Sequence, residues 1–341
     1  MQILNGILFH AVGASSASLC YTPQKKLVRW SWQTYWLAQA FFCWFLLPIV
    51  VAWLTIPQLR EVLAAAPKDA MIRSFVLGLA YGIGGTAFGI AIRYIGFSLT
   101  YAIAVGISCV LGTLLPPFVA GTLGSVLQGN GGQPLMAGIV LGAIGIGFCG
   151  VAGRYKEKDL QGNAVEEGFS LKKGLPICIL AGILSAFYGF SLDQGAPIAA
   201  VAESYGAGDL KGNVIYIFSN TGAFVTTAIY CIVLHFKNKT WGEYRITGRV
   251  GLNYGLSLLT GLLWYGQFFF YGLGHVRLGK FDFTSWAIHM LLLVMFSTLA
   301  GVLLKEWKGA GKRSVRWLAG SLIVLITAVI LLTYGNYLGS Q

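Results

Sequence analysis

The stretch RWLAGSLIVLITAVILLTYGNYL, residues 316–338, carries one charged side chain in 23 positions. A helix of that length rises about 34 Å at about 1.5 Å per residue, enough to cross a hydrocarbon core of roughly 30 Å. Nine further runs of the same character precede it. They occupy approximately residues 3–21, 33–55, 71–92, 98–120, 134–153, 174–195, 212–236, 250–272 and 283–304. The sequence therefore predicts ten membrane-spanning helices.

The composition of the whole chain points to the same class. Of its 341 residues, 56% belong to the apolar set AVILMFWYC and 11% are charged, and the mean hydropathy is +0.70. Soluble domains have about 25% charged residues. Because so few charges cannot solvate the surface of a globule this size, a soluble enzyme, a disordered chain, a coiled coil and a nucleic-acid binder are excluded. An all-α integral membrane protein remains.

The positions of the basic residues predict an orientation. The chain has a net charge of +12, and 18 of its 24 Lys and Arg residues fall in the loops that follow odd-numbered spans, counting Arg316 at the start of the tenth span with the last loop. Cytoplasmic loops of membrane proteins collect Lys and Arg. We therefore expect the odd-numbered loops in the cytoplasm and both termini outside. The basic balance is explained by topology and requires no nucleic-acid partner.

A weak internal repeat suggests two halves. YGIGGTAFGIAIR (81–93) and YGQFFFYGLGHVR (265–277) share their opening Tyr-Gly and their final Arg. The predicted halves are residues 1–153 and 174–341, joined by a charged cytoplasmic linker, 154–173. Two halves with five spans each must insert in opposite directions, which is the inverted repeat common in secondary transporters.

The third predicted span carries a stripe of glycines on one helical face, at Gly78, Gly82, Gly85 and Gly89. Small residues at this spacing allow two helix backbones to approach closely within a membrane. The pattern favours tight helix packing over direct contact with a ligand.

Several longer stretches closely resemble the L-rhamnose–proton symporter family, which belongs to the ten-helix drug/metabolite transporter superfamily. The resemblance covers nearly the whole chain. It implies proton-coupled uptake, by alternating access and without a cofactor, of L-rhamnose or a related 6-deoxyhexose across a bacterial inner membrane. In one departure, Gln33 stands where the family motif W-S-W-E-T has an acid. The stretches are SLCYTPQKKLVRWSWQTYW (18–36), AIRYIGFSLTYAIAVGI (91–107), GLLWYGQFFFYGLGHVR (261–277), DFTSWAIHM (282–290) and LLKEWKGAGKR (303–313).

A sugar needs hydrogen-bonding side chains for its hydroxyls and aromatic rings for its C–H face. Buried polar groups left unpaired are costly, so such side chains should cluster near mid-membrane, between the repeats. The candidates at similar predicted depth are His10, Tyr81, Asn220, Trp264, Tyr265, Gln267, Tyr271 and His289. Each has a structural alternative, such as helix packing, an interfacial anchor or a bond to a neighbouring helix, and the sequence leaves open whether these residues face one another.

Proton coupling needs an ionisable group within the membrane, where burial is expensive and therefore usually functional. Asp193 is the one acid of twelve placed clearly inside a span, and His10 and His289 start from a pKa near 6.5. We expect one of these three to carry the proton. Arg277 lies on the predicted outer side, where basic residues are disfavoured, so it is a candidate gate residue with Asp282 as a partner.

Two other functions are consistent with this kind of chain. An exporter of metabolites or drugs on the same fold is the nearer alternative. A membrane-embedded transferase is the other, but such enzymes bind metal through paired acids, and no DxxD-like pair lies at a membrane face. No Ser–His–Asp set is apparent either. The sequence therefore favours a transporter, without a metal site, over an enzyme.

Overall fold

A computed structural model of the chain describes residues 2–20, 22–95, 97–161, 170–245, 249–305 and 307–339. Regular secondary structure in these ranges is helical. The α-helices are α1 (Gln2–Leu19), α2 (Trp32–Ala40), α3 (Leu47–Thr55), α4 (Leu59–Ala65), α5 (Lys68–Ile95), α6 (Phe97–Val119), α7 (Leu123–Gln128), α8 (Gly132–Gln161), α9 (Leu171–Gln194), α10 (Ala196–Ser204), α11 (Asn213–Asn238), α12 (Val250–His275), α13 (Ser285–Leu303) and α14 (Lys312–Gly339).

Eight segments of the described chain are long and apolar enough to cross a membrane, which confirms the prediction of an all-α membrane protein. α1 and α12, at the predicted first and eighth spans, are helical but fall outside this set, because polar residues such as His10 and Gln267 lower their mean hydropathy. The eight are Trp32–Thr55, Lys68–Ala91, Thr100–Val119, Gly132–Lys156, Lys172–Ser204, Gly208–Asn238, Asp282–Leu303 and Lys312–Gly339.

The second predicted span is not a uniform helix. A π-helical turn, Phe41–Leu46, separates α2 from α3. Pro48 follows this turn and has no backbone N–H, so the carbonyl of Trp44 lacks its usual donor four residues on. π-turns within helices frequently occur at functional sites. Here the turn carries Trp44, which lines the cavity described below.

The sixth predicted span ends at a break in the helix. α9 stops at Gln194, and α10 begins directly after Gly195 with Pro197 in its first turn. A Cβ at Gly195 would overlap the side chain of Ile215, so glycine allows α11 to approach the junction. The break places Asp193 in the last turn of α9, where it is exposed.

Helices from the first predicted half of the chain pack against helices from the second. α8 packs along α14, and α5 lies against α9 and α11. α6 contacts α8 and α9, while α1 contacts α12 and α13. The segment from α2 to α3 packs on α11 and α12. The main buried core therefore forms between helices from both predicted halves.

The glycine stripe of α5 divides into two parts. A Cβ at Gly82 would lie 2.7 Å from the carbonyl oxygen of Ala223, and one at Gly78 would overlap the Ser219 backbone. These two glycines pack against α11, as predicted. Gly85 and Gly89 meet nothing within 4 Å and line the cavity instead. The packing explanation is therefore wrong for the second half of the stripe.

The end of α8 is tied to the start of α14. The carboxylate of Asp159 accepts hydrogen bonds from the Ser314 hydroxyl at 2.5 Å and from the Gly311 backbone N–H at 2.8 Å. These two donors lower the pKa of Asp159. Residues 162–169 of the predicted linker lie outside the described part of the chain.

Candidate functional site

A cavity of about 790 Å³ enters the helix bundle from one face of the molecule. Gln24, Lys156 and Trp307 lie at its mouth, and Trp286 and His289 lie at its inner end. Its walls come from helices of both predicted halves, including α5, α6, α12 and α13. Small-molecule sites in proteins have volumes of roughly 300–1,000 Å³, so the cavity is large enough for a small polar solute.

Aromatic rings form one wall of the cavity. The ring of Trp264 lies 5.3 Å from that of Trp44 and 5.7 Å from that of Trp36, both in edge-to-face geometry. Tyr81 extends the wall, with its ring 6.1 Å from that of Trp44. Among the described residues, the buried indole N–H of Trp44 has no hydrogen-bond partner. The wall thus offers flat apolar faces together with an unused donor.

The inner end of the cavity is polar. Nε2 of His289 lies 3.4 Å from Oε1 of Gln267, and both residues line the cavity. The ring of His10 lies behind them, 5.8 Å from that of His289, and is fully buried. Within the described chain, neither ring nitrogen of His10 has a hydrogen-bond partner, and Nδ1 of His289 has none either. This end of the cavity therefore has unused hydrogen-bonding capacity.

Small residues bring α1 and α12 together so that His10 reaches this region. A Cβ at Gly274 would lie 2.8 Å from the His10 ring, and one at Gly13 would lie 3.1 Å from the carbonyl oxygen of Gln267. The resulting close approach places His10 with its ring 5.2 Å from that of Tyr271. The small size of Gly13 and Gly274 therefore allows the close contact between α1 and α12 that positions His10.

Three of the eight predicted substrate residues lie behind the cavity wall. They are His10, Tyr265 and Asn220. Oδ1 of Asn220 accepts a hydrogen bond from the hydroxyl of Tyr188, whose ring lies 4.5 Å from that of Tyr81. The other five predicted residues line the cavity: Tyr81, Trp264, Gln267, Tyr271 and His289.

The charged residues predicted as a gate lie at the face opposite the cavity mouth. Arg277 forms an ion pair with Asp209 at 2.5 Å and stacks over the ring of Phe9 at 4.7 Å. The structure thus gives Arg277 a different partner from the expected Asp282. Asp282 lies on a 3-10 turn, Gly279–Thr284, that carries its carboxylate to within 3.7 Å of His275.

Asp193 lies outside the cavity. Its exposed carboxylate accepts a hydrogen bond from the Gln194 side chain at 3.2 Å, and it is close enough to Asp282 and His275 for electrostatic interaction. Asp193, which was predicted to be an intramembrane acid, therefore belongs to the group of charged residues at the face opposite the cavity mouth. In the described chain, no three His, Cys, Asp or Glu side chains lie together in a way that could hold a metal ion.

Comparison with known proteins assigns the family. Residues 1–336 match the family described as L-rhamnose-proton symport protein (RhaT). The chain belongs to the L-rhamnose–proton symporter family. An L-rhamnose-proton symporter of Mannheimia succiniciproducens is 35% identical to it over 339 residues, covering 96% of this chain and 97% of the relative. Those of Shigella boydii serotype 18 and Escherichia coli O1:K1 are 33% and 32% identical, covering 98% of both chains in each pair.

Membership in the L-rhamnose–proton symporter family confirms the predicted class. The chain is a multi-pass membrane protein of a transporter family with bacterial members, and it is not an enzyme. The transferase alternative is therefore set aside.

Sequence reasoning missed several residues of the cavity region. Trp44 and Tyr188 lie in runs of apolar residues, where neither stands out, and Trp36 ends the stretch 18–36 that resembles the family. Trp286 and His275 lie inside stretches that resemble the L-rhamnose–proton symporter family. For these two residues, that resemblance was the one signal that the sequence offered. Trp286 lines the cavity and donates its indole N–H to the Ser108 carbonyl at 2.9 Å.

A carboxylate from another part of the chain binds at the family motif that contains Gln33. Gln33 is buried and donates a hydrogen bond to the Thr240 hydroxyl at 2.9 Å. Glu243, from the loop after α11, accepts hydrogen bonds from the Ser31 N–H at 2.7 Å and the Thr34 hydroxyl at 2.5 Å. A loop residue thus satisfies the start of α2, where N–H groups lack intrahelical partners.

Proposed function

We propose that the chain takes up L-rhamnose, or a closely related 6-deoxyhexose, together with protons across the bacterial inner membrane by alternating access. The observation that carries this proposal is the cavity between the halves, with an aromatic wall and a polar inner end, in a chain of this family. A sugar site must combine these two chemistries, because hydroxyls left unpaired in a dry site are costly.

The proposed architecture is ten spans arranged as two inverted five-helix repeats, residues 1–153 and 174–341, with 154–173 as linker. Under that arrangement α1 corresponds to α9, α5 to α12, α6 to α13 and α8 to α14. Exchanging the halves converts the contact of α5 with α9 into that of α12 with α1, and the contact of α6 with α9 into that of α13 with α1. Both members of each pair occur, which supports the inverted repeat.

The proposed orientation places both ends of the described chain on the outer side. The cavity then opens to the cytoplasm, because Gln24 and Lys156 at its mouth belong to odd-numbered loops or adjoin them. The excess of basic residues in those loops supports this assignment. The ion pair between Arg277 and Asp209 would then belong to the closed outer gate.

In the proposed complex, the sugar's C–H face and methyl group stack on Trp44 and Trp264. Its hydroxyls bond to Gln267, His289 and Tyr81 at the inner end and on the wall, and Tyr271 lies beside them. Asn220 and Tyr265 support this surface from behind, because they contact the layer of rings beneath it. The unused indole N–H of Trp44 offers one more donor to the sugar.

For the proton we favour the pair His10 and His289 over Asp193. His289 faces the cavity and His10 lies directly behind it, whereas Asp193 lies at the opposite face. Two imidazolium charges with ring centres 5.8 Å apart would repel each other in a low-dielectric interior. The pair therefore binds one proton at a time, which suits coupling one proton to one sugar.

Radiolabelled L-rhamnose uptake into proteoliposomes tests the proposal. We expect accumulation above the equilibrium level when the outside is more acidic, and equilibration alone when a protonophore is present. The variant His289→Ala should retain the fold but lose the dependence on the gradient. Accumulation that does not depend on the gradient in the unmodified protein would overturn the symport mechanism. Gradient-driven export of another solute, without uptake of L-rhamnose, would favour the exporter.

A further inference from the structure

We propose that His275 admits the transported proton from the outer face, and that Ser285 and Tyr271 pass it to His10 and His289. This inference rests on the proposed function and deepens it, because it adds a route to the histidine pair. It concerns the part of the molecule that is closed to solvent on the outer side of the cavity.

The outer end of the route is accessible and polar. The side chain of His275 is 39% exposed, whereas the rings of His10 and His289 are buried. Its Nε2 lies 3.7 Å from the carboxylate of Asp282, and its Nδ1 lies 3.0 Å from the hydroxyl of Ser285. His275 therefore has one nitrogen toward the exposed carboxylate and the other toward the interior.

Tyr271 connects this outer end to the buried histidines. Its ring stacks on that of His275 with centres 5.9 Å apart, and its hydroxyl interacts with the Ser285 side chain. The same ring lies 5.2 Å from that of His10 and 5.5 Å from that of His289. Among the described contacts, Tyr271 is thus the one residue that touches His275, His10 and His289.

The inner end has proton sites without partners. Both nitrogens of His10 are buried and unpaired within the described chain, as is Nδ1 of His289. Buried polar atoms are normally hydrogen-bonded, and each exception calls for an explanation. In each neutral imidazole one nitrogen carries no hydrogen, so it can bind a proton that arrives through Tyr271 in another stage of the cycle.

The charges around the route favour entry at His275. Asp282 from the Gly279–Thr284 turn and Asp193 from α9 both act on this outer cluster and attract a proton. Arg277, in the turn that follows α12, is neutralised by its ion pair with Asp209. Deeper in, the ionisable groups facing the route are Tyr271, His10 and His289 themselves.

The transfer balances without a co-reactant. A solvent proton binds Nε2 of neutral His275, and the Nδ1 proton moves to the Ser285 oxygen as the Ser285 proton moves to the Tyr271 oxygen. With the rings rotated so that the Tyr271 hydroxyl faces His10, the Tyr271 proton moves to a nitrogen of His10 in the same concerted step, and His10 then passes a proton to His289. Each relay group gains one proton and loses one, so the net change is one proton delivered to the histidine pair.

The test compares two transport modes of the same proteoliposomes, gradient-driven L-rhamnose uptake and L-rhamnose counterflow at equal pH. Counterflow exchanges sugar for sugar and needs no net proton entry. We expect His275→Gln to reduce gradient-driven uptake at least tenfold and to leave counterflow within twofold. Ser285→Ala, which removes a relay hydroxyl outside the cavity lining, should lower the ratio of uptake to counterflow in the same way.

His235→Gln is the matched control, because His235 lies at the opposite end of the molecule, bonded to Thr240 and Tyr244. It should keep the unmodified ratio. If His275→Gln and Ser285→Ala both keep the ratio within twofold, the proton route is wrong while the symport function stands. If the unmodified protein shows no gradient-driven uptake, the proposed function fails and the route fails with it.

Discussion

Replacing Gln267 by Leu removes the polar side chain at the inner end of the cavity while keeping a similar volume. The side chain is 8% exposed, and its Oε1 lies 3.4 Å from Nε2 of His289. The substitution leaves one sugar hydroxyl, and that imidazole nitrogen, without a partner. An unpaired buried polar group costs about 1–3 kcal/mol. Because 1.4 kcal/mol corresponds to about tenfold in affinity, the Kd for L-rhamnose should rise roughly 5- to 150-fold.

The assay is equilibrium binding of radiolabelled L-rhamnose to purified protein, with deoxy analogues that each lack one hydroxyl. The analogue without the hydroxyl that Gln267 contacts should bind the variant and the unmodified protein equally. Gln39→Leu is a matched control, because Gln39 is fully buried, has no hydrogen-bond partner in the described chain and lies outside the cavity lining. It should leave the Kd unchanged. A Kd within twofold for Gln267→Leu, or an equal loss in Gln39→Leu, would refute the site.

Three further predictions address packing, pH and the gate. Gly85→Leu should block sugar transport with little loss of thermal stability, since a side chain there enters the open cavity. Gly78→Leu should instead destabilise the protein, because the side chain collides with α11. Sugar uptake and thermal unfolding in detergent distinguish the two variants, and equal unfolding temperatures would contradict the assignment. The lowered pKa of Asp159 means that its contribution to stability is present above its ordinary value of 3.8 and is lost as the pH falls through the lowered pKa. The melting temperature of Asp159→Asn should therefore lie below that of the unmodified protein at pH 7, and the two should converge in acid; a constant gap would contradict this. Asp209→Asn breaks the ion pair with Arg277, so a cysteine reagent added from outside should reach the cavity more readily, and unchanged labelling would argue against a gate.

Sequence reasoning identified the class of this protein because membrane burial leaves a compositional signature. The predicted spans 134–153 and 316–338 lie within α8 and α14. These features depend on local sequence alone. Helix length and apolar character determine them whatever the neighbouring helices do.

The direction in which a side chain faces and its depth in the membrane depend on how the helices pack, which explains the errors. Asp193 looked intramembrane because an apolar run continues past it, but the helix break at Gly195 places it in an exposed last turn. Gly85 and Gly89 continue the spacing of Gly78 and Gly82, yet nothing lies within 4 Å of a Cβ at either, and both line the cavity. The expected depths of His10 and His289 were compatible, and only the packing of α1 against α13 shows that the two rings adjoin.

The most direct test of the central claim is proton movement caused by the sugar itself. L-Rhamnose is added to proteoliposomes in weakly buffered medium with no imposed gradient, and external pH and radiolabelled sugar are followed together. Coupled symport predicts an alkaline shift outside that accompanies sugar entry and disappears with a protonophore. It also predicts that His289→Ala abolishes the shift. Sugar entry without any change of external pH would contradict the account.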